Sequence, residues 1–171
     1  MNYNWDPLKN ILDRLPEDTV SRAAACINRH RRIFVYAAGR SGLMLKAFAM
    51  RLAQMGRTVY VVGETVTPAL EPGDLLILAS ASGTTQSVCR YAQKAKEIGA
   101  DLFIITATAD SPLTQIAPAD ILISAPNKNS AASGQIMGSL FEQSLLLLCD
   151  NITENLGADP AQMRLRHANL E

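Results

Sequence analysis

"LLILASASGTTQSVCRYAQ", residues 75–93, is the stretch whose reading decides the fold. It opens as an unbroken apolar run and crosses a cluster of small residues, Ser80, Ser82, Gly83, Thr84 and Thr85. It then leaves with the apolar spacing of an amphipathic helix. A short apolar run without alternation is the signature of a strand covered on both faces, the condition of parallel sheets. Turning from strand into helix takes one glycine or one capping residue, so the four hydroxyls exceed what the turn requires.

Working outward, the same pattern recurs. "RIFVYAA" leads into "GRSG" and a predicted helix over residues 43–55, and "TVYVV", "ADLFIIT" and "ADILISA" are further continuous apolar runs. With residues 75–80 that makes five runs, several separated by helical stretches, and predicts an α/β fold. Its core is a five-stranded, doubly wound parallel sheet between helical layers, in a three-layer αβα, flavodoxin-like arrangement. No linker, repeat or low-complexity tract divides the 171 residues, which read as one domain. Its parts are N-terminal helices to about residue 31, a sheet core over about 32–125, and a C-terminal helix and tail over about 134–171.

At the N-terminal end, Asp6 is expected to cap a helix with Pro7 at its first position, carrying Leu8, Ile11, Leu12 and Leu15 inward. After Pro16, a second helix carries Val20, Ala24 and Ile27 up to "NRHRR", a basic cluster suited to a helix C-terminus. Beyond "APNKNSAASG" a long helix is predicted over residues 135–156. Met137, Phe141, Leu145, Leu148, Ile152 and Leu156 form its stripe, and Leu140, Leu146 and Leu147 widen it. A helix apolar over so much of its circumference is buried on several sides, and in a small domain that predicts burial against another subunit.

Composition excludes several classes. Formal net charge is zero and aromatic residues make up 5%, so neither a basic footprint nor stacking platforms for nucleic acid are present. No apolar run is long enough to cross a bilayer, and "MNYNWDPLKN" lacks the pattern of a signal peptide. Cys26, Cys89 and Cys149 are odd in number and far apart, as reduced thiols in the cytoplasm would be. His30 and His167, the two histidines, have no close partners in sequence, which speaks against a zinc site.

The candidate site lies where strands of an open α/β sheet give way to helices. In "SASGTT", Gly83 permits close approach of the backbone, and Ser80, Ser82, Thr84 and Thr85 add donors at a helix N-terminus, a natural seat for phosphate. No lysine follows, so this is not a nucleotide-binding P-loop. The competing reading leaves one hydroxyl as a helix cap and the rest as packing. "AAGRSG", residues 37–42, occupies the equivalent place after another strand and brings Gly39, Arg40 and Ser41. Two such loops on neighbouring strands converge on one anion site. Arg40 fits there as a partner for phosphate or a sugar hydroxyl, or stands as a surface arginine.

The sequence resembles the SIS (sugar isomerase) family of phosphosugar-binding domains, and within it the 6-phospho-3-hexuloisomerases. The residues that carry the resemblance are "AAGRSG" with "FAMRLAQMG", "VVGETVTPAL", "SASGTT", "GSLFEQSLLLLCDNI" and "RHANLE". They span nearly the whole chain. Ala38 and Ala81 stand where the family usually has glycine. The resemblance implies interconversion of a 3-hexulose 6-phosphate and fructose 6-phosphate through an enediolate, without metal or organic cofactor. It also implies a sugar-phosphate substrate, no nucleic-acid or membrane partner, and a homotetramer with sites at subunit interfaces. Alternatives within the family are another sugar phosphate or a non-catalytic phosphosugar sensor.

Glu142, in "LFEQSLLLL", matches the family's "FEQ" segment and is the candidate base, with Gly138 one turn earlier leaving room for substrate. Its apolar setting is expected to raise its pKa toward neutrality. Periodicity alone favours a buried structural carboxylate paired with an arginine such as Arg51, and the match to the family's segment reverses that preference. His167, in the terminal "RHANLE", is the candidate for ring opening or proton shuttling, in its own site or a neighbour's; its other reading is exposed tail. Glu64 and Thr65 in "VVGETVTP" either line the pocket or cap a turn before Pro68.

Overall fold

The computed structural model describes residues 4–126 and 138–169. Its centre is a five-stranded parallel sheet of β1 (Arg32–Ala37), β2 (Thr58–Val61), β3 (Leu75–Ser80), β4 (Asp101–Thr106) and β5 (Ile121–Leu122). The spatial order is β2-β1-β3-β4-β5. Every residue of β3 is buried, which is why its sequence is apolar along its whole length. The predicted α/β fold class and all five predicted strands are present.

Because the chain moves outward from β1 in one direction and from β3 in the other, right-handed crossovers put the intervening helices on opposite faces. One face carries α1 (Asp6–Leu12), α2 (Thr19–Asn28), α3 (Gly39–Gln54) and α6 (Ser139–Asn155). Their shared core includes Ile27, Leu45, Leu52, Phe141, Leu145 and Leu148 against Ile33, Val35 and Ile77 of the sheet. The other face carries α4 (Gln86–Ile98) and α5 (Pro112–Ile116), with Val88, Ala92, Ala95 and Leu113 packed on Phe34, Leu76, Leu78 and Ile104. A short α7 (Pro160–Leu165) follows.

Three local expectations need revision. Asp6 does not cap α1: Trp5 occupies the cap position, and the Asn4 carboxamide oxygen accepts the Asp6 N–H at 3.0 Å instead. The helix after β1 begins at Gly39, inside the loop sequence "GRSG", four residues before the expected start. Gly42 makes that early start possible, since a Cβ there would lie 2.4 Å from the Ala37 carbonyl oxygen. The last long helix begins at Ser139, after Gly138 in the left-handed conformation (φ 76°), and the expected start over 135–137, with Met137, lies outside the described residues. The breadth of the α6 apolar surface is largely taken up within the chain, by α1, α2 and α3, with Leu147 left exposed. The basic cluster does close α2: His30 Nδ1 donates to the Cys26 carbonyl at 2.7 Å, and Nε2 faces Asp101 Oδ2 at 2.8 Å.

Candidate functional site

The strand order reverses between β1 and β3, and the loops after these two strands stand side by side there. Ala37 is registered with Ala79, so Ala38–Gly39 and Ala81–Ser82 open into one crevice at the carboxyl ends of the strands. A cavity of about 120 Å³ occupies it. Ala38, Gly39, Arg40 and Ser41 line one wall, Ala81 and Ser82 the second, and Gly138, Phe141 and Glu142 the third. Ala38 has extended backbone (φ −90°, ψ 151°), a conformation in which alanine replaces glycine without strain.

The hydroxyl loop is tightly organised. Ser80 Oγ accepts the Gly83 N–H at 3.2 Å and lies 3.1 Å from Thr85 Oγ1, while Ser82 Oγ and Thr84 Oγ1 are 2.9 Å apart. Gly83 has φ 63°, and a Cβ there would sit 2.1 Å from Ser111 Oγ, so the position admits only glycine. Thr85 is the N-cap of α4, yet its side chain makes no cap hydrogen bond. The Thr85 hydroxyl is turned to Ser80 instead, and gives the first-turn N–H groups of α4 no side-chain cap.

Opposite this loop, Arg40 Nε lies 3.0 Å from Glu142 Oε1, and the Glu142 side chain is only 15% exposed. Glu142 stands in the first turn of α6, where the helix dipole favours a carboxylate. Its surroundings are thus less apolar than the run "LFEQSLLLL" implies, because the guanidinium of α3 reaches across to it. The arginine facing it is Arg40, not Arg51. Arg51 lies eleven residues farther along α3, roughly 16 Å by helical rise. Its Nε is instead 3.9 Å from Asp150 Oδ1. Residue spacing on α3 could not separate the two, since both fall on the side turned to α6.

The remaining predicted residues lie elsewhere. Glu64 lines a neighbouring cavity of about 400 Å³, which shares Ala38 and Gly39 with the first, and it pairs with Lys46 Nζ at 2.6 Å. Thr65 is exposed and lines neither cavity; the turn before Pro68 is closed by Thr67, whose hydroxyl donates to the Val61 carbonyl at 2.5 Å. Arg51 and His167 share a separate groove with Gln54, Asp150, Glu154 and Arg164, toward the far end of α6. His167 is exposed, with Nδ1 3.1 Å from the Ala168 carbonyl oxygen. Within one chain, then, Arg40, Ser41, Ser82 and Glu142 come together and His167 does not join them.

Phe141 and Lys46 were not foreseen as site residues. Phe141 reads in sequence as one of the α6 stripe, which it also is; Lys46 carries no local signal. Among the described residues no group of three or more His, Cys, Asp or Glu side chains is placed to hold a metal, and no helix is long and apolar enough to cross a membrane.

Comparison with known proteins agrees with this geometry. The SIS domain profile matches residues 26–147. A 3-hexulose-6-phosphate isomerase of Mycobacterium gastri is 40% identical, covering 97% of this chain and 87% of that protein. A Bacillus subtilis protein of the same name is 39% identical, covering 96% and 93%. A crystal structure of a Methanococcus jannaschii protein, from which a function of 3-hexulose-6-phosphate isomerase was inferred, superposes with a TM-score of 0.84 at 31% identity, covering 97% and 98%.

Proposed function

The chain belongs to the SIS domain family, and from that membership we propose that it is a 3-hexulose-6-phosphate isomerase. It interconverts D-arabino-3-hexulose 6-phosphate and D-fructose 6-phosphate. The observation that carries this reading is the crevice in which the Arg40–Glu142 pair faces Ala81 and Ser82 of the hydroxyl loop. Full-length relatives that bear this name support it.

Moving a carbonyl from C3 to C2 requires removal of the C2 proton, an enediolate, and return of a proton to C3. In our reading the substrate phosphate rests on the loop of Ser80, Ser82, Gly83, Thr84 and Thr85, with further contacts from Gly39 and Ser41. The phosphate thereby holds C2 and C3 beside Glu142. Glu142 takes the proton from C2 and returns it to C3, a general-base role contributing about 10²–10⁴-fold in rate. The Arg40 guanidinium supplies positive charge where the enediolate oxygen develops negative charge. Phe141 closes one side of the crevice against water.

We assign His167 to proton transfer at the oxygens in the site of a neighbouring copy, within a homotetramer whose sites lie at subunit interfaces. Its distance from Glu142 in its own chain and its exposure support this arrangement. The three free cysteines suit a reducing, cytoplasmic location.

The test is turnover of D-arabino-3-hexulose 6-phosphate, followed as fructose 6-phosphate in a coupled assay, with Glu142→Gln beside the wild type. The expected result is a fall of at least about 10²-fold in kcat in the variant with fructose 6-phosphate still bound. Binding without turnover in the wild type points instead to a sensor or to another sugar phosphate.

A further inference from the structure

Behind the hydroxyl loop, on the side away from the crevice, one segment supplies a row of donors. Thr106 Oγ1, at the end of β4, donates to the Ser80 carbonyl at 2.7 Å, and Thr108 Oγ1 donates to the Ala81 carbonyl at 3.0 Å. The Ala107 N–H reaches the same Ala81 carbonyl at 3.2 Å, and the Leu113 N–H reaches the Gly83 carbonyl at 3.0 Å. Three carbonyls of the loop are therefore turned toward residues 106–113.

Among the described residues no peptide bond is cis. In a trans peptide the carbonyl and the following N–H point in opposite directions. Drawing the Ala81 carbonyl backward thus turns the N–H group of Ser82 forward, to the side where Ser82 lines the crevice, while the Thr84 N–H is bonded within the loop to Ser82 Oγ at 3.3 Å. The contact of Gly83 with Ser111 brings the same segment against the loop at its tightest point.

Thr106 is completely buried. In a strand, valine would fill its place with equal volume, so strand packing does not require the hydroxyl. What the hydroxyl does is hold the Ser80 carbonyl and accept the Thr108 N–H at 3.2 Å. We propose that Thr106 and Thr108 are positioning residues for phosphate binding: they aim the loop's amides at the phosphate without touching it. The inference rests on the assignment of this loop to the phosphate of the substrate.

The experiment compares Thr106→Val, Thr108→Val and Thr106→Ser with wild type, measuring kcat, KM, and calorimetric Kd for inorganic phosphate and for fructose 6-phosphate. In Thr106→Val we expect KM and both Kd values to rise together about tenfold, the scale of one lost hydrogen bond, with kcat within about twofold. Thr108→Val should follow in the same direction, and Thr106→Ser, which keeps the hydroxyl, should restore wild-type binding. A thermal melt checks each fold. If Thr106→Val does not fold, Thr108→Val decides, since its side chain is only half-buried. Folded valine variants with unchanged KM and phosphate Kd overturn the proposal. Wild type that binds phosphate but does not turn over the hexulose overturns the isomerase and leaves the binding comparison to decide the role of the threonines.

Discussion

Gly83 and Gly39 share a positive φ, 63° and 60°, yet their surroundings differ. Nothing lies within 4 Å of a Cβ built on Gly39, whereas one on Gly83 strikes the Ser111 side chain. Gly39→Ala should therefore carry only the left-handed backbone penalty, about 1–2 kcal/mol. Gly83→Ala adds a steric clash of about 1–3 kcal/mol and must displace the loop. Thermal unfolding and phosphate titration of the two variants check this: a modest loss of stability with weakened binding for Gly39→Ala, whose added methyl meets the open cavity, and loss of both for Gly83→Ala. The sequence alone made the hydroxyl surplus of "SASGTT" legible, because strand-to-helix turns rarely need it. The reason for glycine at 83 was not legible, since Ser111 arrives from another element. The partner of Glu142 was misjudged for a related reason: helical periodicity tells which side of α3 an arginine faces, not which level of α6 it meets.

At the scale of elements, α6 combines site and core. Glu142 stands in its first turn, and Leu145, Leu148 and Ile152 fill the core below. Its apolar breadth points to burial on several sides, and α1, α2 and α3 cover most of it while Leu147 stays exposed. A sequence pattern gives the width of a buried surface without naming what covers it. One flaw in the helix is useful: Ser144 is fully buried and its Oγ has no hydrogen-bond partner among the described residues. Ser144→Ala should stabilise the protein by about 1 kcal/mol, raising Tm by about 2–4 °C. Cys149, on the same helix, is enclosed, and burial pushes its thiol far above the ordinary range; burial also raises Cys26 and Cys89. A raised pKa means less thiolate at any given pH. Alkylation of Cys26 and Cys89 at pH 8 should thus be slower than that of a free thiol and accelerate as pH rises, while Cys149 should react only in denaturant. Mass spectrometry after timed labelling reads each cysteine separately.

For the molecule as a whole, the doubly wound sheet was readable because each central strand, covered on both faces, writes an unbroken apolar run. Which surface remains open was not readable. Leu43 and Met50 on α3 are 59% and 50% exposed, and Leu147 on α6 is 37% exposed. Together they offer an apolar surface for the proposed tetramer. If each site takes Glu142 from one chain and His167 from another, co-refolding equal amounts of inactive Glu142→Gln and His167→Ala should restore activity to about a quarter of the sites. No recovery in a mixed tetramer, verified by light scattering, removes the shared site. The packing of α6 onto α1 and α2 has a consequence for biosynthesis. Chain growth on the ribosome delivers α1, α2 and α3 before α6, so part of one face of the nascent sheet stays uncovered until α6 emerges. The proposed catalytic glutamate and the last wall of the core arrive together, so a chain arrested before α6 is expected to be at once inactive and sticky, a natural client for chaperones.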